Sequence, residues 1–105
     1  MQNDKFSLII EYCESWGYDQ YFDVVSEHIY DTYPNALIEG VPVPGFTYCF
    51  EIKFEDKLIY SKLGGAGYPT EKKYPAIMAS IAEELQSRKD AEAQKEAVKD
   101  AEKDK

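Results

Sequence analysis

The residues with the most chemistry to offer are Cys13 and Trp16, set in the stretch Y-C-E-S-W-G-Y from Tyr12 to Tyr18. A thiol placed after a strand and before a helix has its thiolate favoured by the helix dipole and the free N–H groups of the first turn. Loops at the carboxyl ends of strands in α/β sheets are also where ligands collect. The competing reading is that a free cysteine is a small buried hydrophobe, and position alone leaves both open for Cys13. Cys49 is the second thiol. It falls on the more polar side of a strand and reads as an unreactive strand thiol, as a site of glutathionylation, or as a partner for Cys13.

The elements that must position these groups follow from hydrophobic spacing. Phe6, Leu8, Ile10 and Tyr12 alternate with Ser7, Ile9 and Glu11, which predicts a strand ending at Tyr12 with Cys13 just beyond it. Gly17 suits the turn that follows. Tyr18, Tyr21, Phe22, Val25 and Ile29 then lie on one helical face, predicting a helix from Tyr18 or Asp19 to Thr32 that Pro34 cannot continue. Ala36 to Val41 reads as a second strand, parallel to the first because a helix joins them. Pro42, Pro44 and Gly45 form a stiff loop in which a cis Val43-Pro44 bond is a minority alternative.

Phe46, Tyr48, Phe50, Ile52 and Phe54 alternate with Thr47, Cys49, Glu51 and Lys53, the pattern of a strand with one face covered. Glu55 to Lys57 turns the chain, and Leu58 to Lys62 returns as its antiparallel partner. Leu63 to Pro69 holds Gly64, Gly65 and Gly67. It lacks the Lys-Ser/Thr of a phosphate-binding loop, so it reads as backbone needing positive φ or close approach. A second helix begins at Thr70 or Pro75 and carries Ile77, Met78, Ile81 and Leu85 on one stripe. From Gln86 the chain is Ala, Lys, Glu and Asp with little to bury, predicting a frayed helix or a disordered tail. The organisation expected is a domain over residues 1–87 and a charged tail over 88–105.

Composition narrows the function. One hundred and five residues, 44% of them hydrophobic, make one small domain with a single core. The formal charge is -8, and residues 88–105 hold six basic and six acidic residues, so the excess lies on residues 1–87. An acidic surface repels phosphate and argues against nucleic acid and anionic membrane as partners. The first five residues are too short and polar for a signal peptide and no run is long enough to span a bilayer, so a cytoplasmic location is expected. The chain is also expected to be a monomer. Two cysteines far apart do not form a disulfide framework. No set of residues has metal-ligand spacing, and His28 reads as a surface histidine.

Y-C-E-S-W-G-Y resembles the Y-C-x-x-U-G-Y or C-x-x-C-G-[YF] signature of the selenoprotein W family, also called Rdx. The likeness continues in order through Asp31 to Pro34, Phe50-Glu51-Ile52, Lys57 to Lys62 and Gly65-Ala66-Gly67-Tyr68, covering about Phe6 to Leu85. The resemblance implies an α/β thioredoxin-like βαβββα fold, a four-stranded mixed sheet with two packed helices. It implies a redox protein with no bound cofactor that works with glutathione or protein thiols. Cys13 and position 16 would be the redox pair, with Glu14, Ser15, Gly17, Tyr18, Gly65, Gly67 and Tyr68 forming the loops that meet a substrate or partner. The family also implies a 14-3-3-type protein partner.

One departure stands out. Where the family carries selenocysteine or a second cysteine, this chain has Trp16, and an indole can neither attack a disulfide nor close one. If tryptophan is the native residue, Cys13 lacks its neighbouring partner, and a non-catalytic interaction module on the same fold becomes the alternative function. If the source gene has UGA at this position, Trp16 stands for selenocysteine. A UGG codon and an indole mass in the native protein decide for tryptophan.

Overall fold

The computed structural model describes residues 4–45 and 47–103, with side chains through residue 92. The alternation at the start of the chain becomes β1 (Ser7–Cys13), whose Leu8 and Ile10 are completely buried. Helix α1 (Tyr18–Thr32) buries Tyr18, Val25 and Ile29, the face set out by its apolar spacing. Strand β2 (Leu37–Val43) pairs parallel with β1, from Ser7 opposite Leu37 to Cys13 opposite Val43. Strands β3 (Phe50–Phe54) and β4 (Lys57–Ser61) form the hairpin, with Glu55 at φ 54° in the tight connection. The sheet order is β2-β1-β3-β4, mixed, with β1 antiparallel to β3.

Both helices lie on one side of this sheet. Leu8, Ile10, Phe50, Ile52 and Phe54 meet Val25 and Ile29 of α1 and Ile77, Ile81 and Leu85 of α2 (Tyr74–Lys103) in one core cluster. The opposite face is open. There Lys53 pairs with Glu11 at 3.0 Å, and Leu37 and Leu58 are exposed. Such an exposed pair adds little stability.

Several boundaries differ from those the sequence predicts, each for a local reason. Cys13 is the last residue of β1 rather than the first beyond it. The second strand runs from Leu37 to Val43 instead of Ala36 to Val41, and includes Pro42; β2 is an edge strand, where a missing N–H costs no ladder bond. The third strand begins at Phe50, because Tyr48 adopts φ 54° and ends the extended run before it; Phe46 lies outside the described residues. No described peptide bond is cis, so Val43-Pro44 is trans. Thr70 opens a 3₁₀ turn (Glu71–Lys73), and α2 starts after it with Pro75 in its first turn. Beyond Gln86 the backbone continues as α2 to Lys103, while the last two residues lie outside the described ones. Arg88 ties this helix to the base of the sheet, donating to the Lys5 carbonyl at 2.7 Å and to Glu55 at 3.2 Å.

Phe22 is wedged between α1 and β2. Its ring stacks on Tyr12 at 5.1 Å, and a Cβ built on Gly40 would lie 2.6 Å from its tip. Gly40→Ala should therefore force the ring out of its stack and cost about 1–3 kcal/mol. A urea midpoint equal to that of the unsubstituted protein would show that the ring moves freely.

Candidate functional site

Two loops converge on the end of β1. The first, Glu14 to Gly17, leaves the strand after Glu14 N–H donates to the Val43 carbonyl at 3.0 Å. Trp16 (φ 64°) and Gly17 (φ 72°) are both left-handed, and this reversal starts α1 directly after Gly17. The second loop runs from Val43 to Cys49 and holds Gly45 (φ 88°) and Tyr48 (φ 54°). A non-glycine residue in this conformation carries strain of order 1–3 kcal/mol, and such residues gather at functional sites. Trp16 and Tyr48, two of the three such residues among those described, flank the same thiol.

The Cys13 thiol is completely buried between these loops. It donates to the Gly45 carbonyl at 3.5 Å, and Ser15 Oγ donates to the same carbonyl at 3.5 Å. Burial pushes the thiol up, but hydrogen bonds from the Ser15 and Tyr48 backbone, the Thr47 side chain and the Thr47 backbone outweigh it. The net result is a thiol held below its ordinary value, as a reactive cysteine requires. Cys49 is also free and buried, although its strand pattern placed it on the more polar side. Its sulfur accepts a hydrogen bond from Thr47 Oγ1 at 3.2 Å.

The predicted partner residues divide into two sets. Glu14, Trp16 and Gly17 are exposed, Trp16 by 67%, and Ser15 is half-buried. Tyr18 is buried. Its ring lies 6.2 Å from that of Tyr68, and burial, then Tyr68 and the Cys13 thiol, raise its hydroxyl well above the ordinary range. That hydroxyl sits near Tyr68 without completing a hydrogen bond. The Tyr68 ring also approaches Tyr21 at 6.1 Å and receives the Lys62 ammonium at 4.4 Å.

Gly65 (φ 104°) and Gly67 (φ 86°) shape the loop that delivers Tyr68, and neither is among the groups that hydrogen-bond Cys13. The loop is fastened by the Gly67 carbonyl, which accepts from Tyr60, and by Glu51, which accepts from Ser61. Ser61 in turn accepts from Gly64 N–H at 2.8 Å. Beside Trp16, a groove of about 360 Å³ is lined by Gly17, Gln20, Tyr21, Val24, Pro69 and Tyr74.

Sequence reasoning missed Thr47, Gly45 and Tyr48 as parts of the site. The signal available was Thr47, which stands three residues before Phe50-Glu51-Ile52 in a loop otherwise read as strand. Among the described residues no group of His, Cys, Asp and Glu is arranged to hold a metal, and His28 is exposed with its ring 4.7 Å from that of Tyr74. No described helix is long and apolar enough to cross a membrane.

A four-stranded mixed sheet with a cysteine at the carboxyl end of its first strand, directly before the first helix, defines a thioredoxin-like protein. The chain belongs to the Rdx family, whose model matches residues 7–80. It is 35% identical over 74 residues to selenoprotein W of Sus scrofa, covering 69% of this chain and 85% of that protein. It is also 34% identical over 65 residues to migration and invasion enhancer 1 of Bos taurus, covering 62% of this chain. The chain spans 55% of that second relative's length.

Proposed function

We propose that this protein is a thiol redox protein in which Cys13 is the reacting group and glutathione or a protein disulfide is the co-substrate. The observation that carries the reading is the set of donors around one sulfur: Ser15 and Tyr48 from two loops, with both the backbone and the hydroxyl of Thr47. A thiolate attacks a disulfide sulfur and displaces a thiolate in turn, so donors that favour the anion raise the reactive fraction near neutral pH. The buried Tyr18 phenol stays neutral beside it and adds no competing charge.

The test is the pH dependence of Cys13 alkylation. Access through the covering loops scales the rate at every pH, whereas the midpoint reports the thiol itself. The midpoint is expected below the ordinary cysteine value of 9.0. Thr47→Val removes the hydroxyl but keeps the shape, and should move the midpoint upward. A midpoint at or above that of a free cysteine in the unsubstituted protein would sink the redox reading.

A second reading has its own support. Trp16 and Val24, exposed by 67 and 49%, line the groove, and Tyr68, exposed by 52%, has its ring 6.1 Å from that of the lining residue Tyr21; exposed aromatics edged by polar groups suit a protein interface. Under this reading the loop docks a protein such as a 14-3-3-type partner without turnover. Cys13→Ser then leaves binding intact, while Trp16→Ala weakens it by about tenfold or more.

A further inference from the structure

We propose that Cys13 and Cys49 form a reversible cross-strand disulfide, with Cys49 rather than residue 16 acting as the resolving thiol. The proposal rests on the reading of Cys13 as a redox thiol and names its partner. The β1–β3 ladder pairs Leu8 with Phe54 and proceeds one step at a time to Tyr12 with Phe50. The ladder ends there, but one further step in the same register would set Cys13 opposite Cys49, and the Cys13 N–H donates to the Cys49 carbonyl at 2.9 Å, one of the two bonds such a pair exchanges. Residues directly opposite in an antiparallel pair share a face with Cα atoms about 4.5–5.5 Å apart. A disulfide spans Cα separations of about 4.4–6.8 Å.

Thr47 supplies an independent observation. Its hydroxyl donates to Cys49 Sγ at 3.2 Å, and its one proton can turn instead to the Cys13 thiolate, which the same side chain favours. These are the two cysteines of the chain, and both are free and buried, at 0 and 4% exposure. A buried mixed disulfide is hard for a second external thiol to reach. Cys49 already stands beside it.

The oxidant is a small disulfide such as oxidised glutathione. The Cys13 thiolate attacks one of its sulfurs, the S–S bond breaks, and one glutathione leaves as thiolate and takes a proton. Cys49 then loses its proton and attacks Cys13 Sγ, breaking the mixed disulfide and expelling the second glutathione, which is protonated in turn. One glutathione disulfide is reduced to two thiols, and two protein thiols lose two hydrogens to become a disulfide.

The experiment treats the full chain with oxidised glutathione and reads intact mass, followed by digestion without reductant. The expected product has lost two hydrogens, retains no glutathione, and yields a peptide linking Cys13 to Cys49 that dithiothreitol separates. Cys49→Ser is expected to stop at a glutathione adduct on Cys13. If the unsubstituted protein instead accumulates that adduct with no link, the pairing is wrong while the redox reading of Cys13 stands. If Cys13 stays unmodified in both proteins, pairing and redox reading fall together. Should Cys49→Ser not fold, the unsubstituted protein alone separates these outcomes.

Discussion

Phe50→Ala should destabilise the fold by about 3–5 kcal/mol, a large share of the roughly 5–15 kcal/mol that holds a small domain together. Phe50 is completely buried, opposite Tyr12 in β1, and packs roughly perpendicular to Tyr21 from α1 and Tyr60 from β4, with ring centroids 6.4 and 6.3 Å away. It thus joins three elements where β3 leaves the site, one residue after Cys49. Removing the ring leaves a cavity that β1 and β3 cannot close without disturbing their register, so thiol reactivity should change with stability. The measurement is urea unfolding, in which the midpoint falls while the slope is kept. Leu58→Ala, on the open face with the side chain 49% exposed, is the control and should move stability by no more than about 0.5 kcal/mol. Equal losses for the two would mean that the core is not organised around β3.

That core was readable from the sequence because it follows simple periods. Leu8 and Ile10 at spacing two, and Val25, Ile29, Ile77, Ile81 and Leu85 at spacing four, could lie on one face only if the elements were strands and helices in this order. The site was half legible. Cys13 and the turn after it announced themselves by type and position, whereas the loop from Gly45 to Cys49 did not. Its residues alternate in polarity like a strand, and Tyr48 is a residue that normally favours one. Tyr48 instead takes a left-handed backbone in the loop whose Thr47 and Tyr48 groups favour the Cys13 thiolate, and no single-sequence pattern encodes that conformation at a tyrosine. Burial of Cys49 was hidden for the same reason: the residues before it were read as part of its own strand.

The protein's stability should rise and then fall as the pH moves from neutral into the alkaline range, with the two limbs set by different groups. In the folded state Cys13 lies below its ordinary value of 9.0, through the backbone and Thr47 bonds that overcome its burial. Between that folded value and 9.0 the unfolded chain binds more protons than the folded one, so stability increases with pH. This contribution is complete above 9.0 and is lost as pH falls through the folded value.

Tyr18, Tyr33, Tyr60 and Tyr74 have the opposite sign. Burial raises each above 10.0, reinforced by Tyr68 for Tyr18, Asp4 for Tyr33, Glu51 for Tyr60 and Glu71 for Tyr74. Above 10.0 the unfolded phenols lose protons that the folded ones keep, so stability declines as pH climbs through the folded values. Lys57, raised chiefly by its hydrogen bond to Glu84, adds to the decline above 10.5. Urea midpoints across this range should pass through a maximum near pH 9 to 10, between the ordinary thiol and phenol values. Cys13→Ser should flatten the rising limb and largely leave the falling one, because burial is the first cause at every phenol and Lys57 is held by Glu84; only the smaller Cys13 contribution at Tyr18 is lost. A rising limb that survives the substitution would show that Cys13 titrates alike in both states, which removes the electrostatic basis for its reactivity.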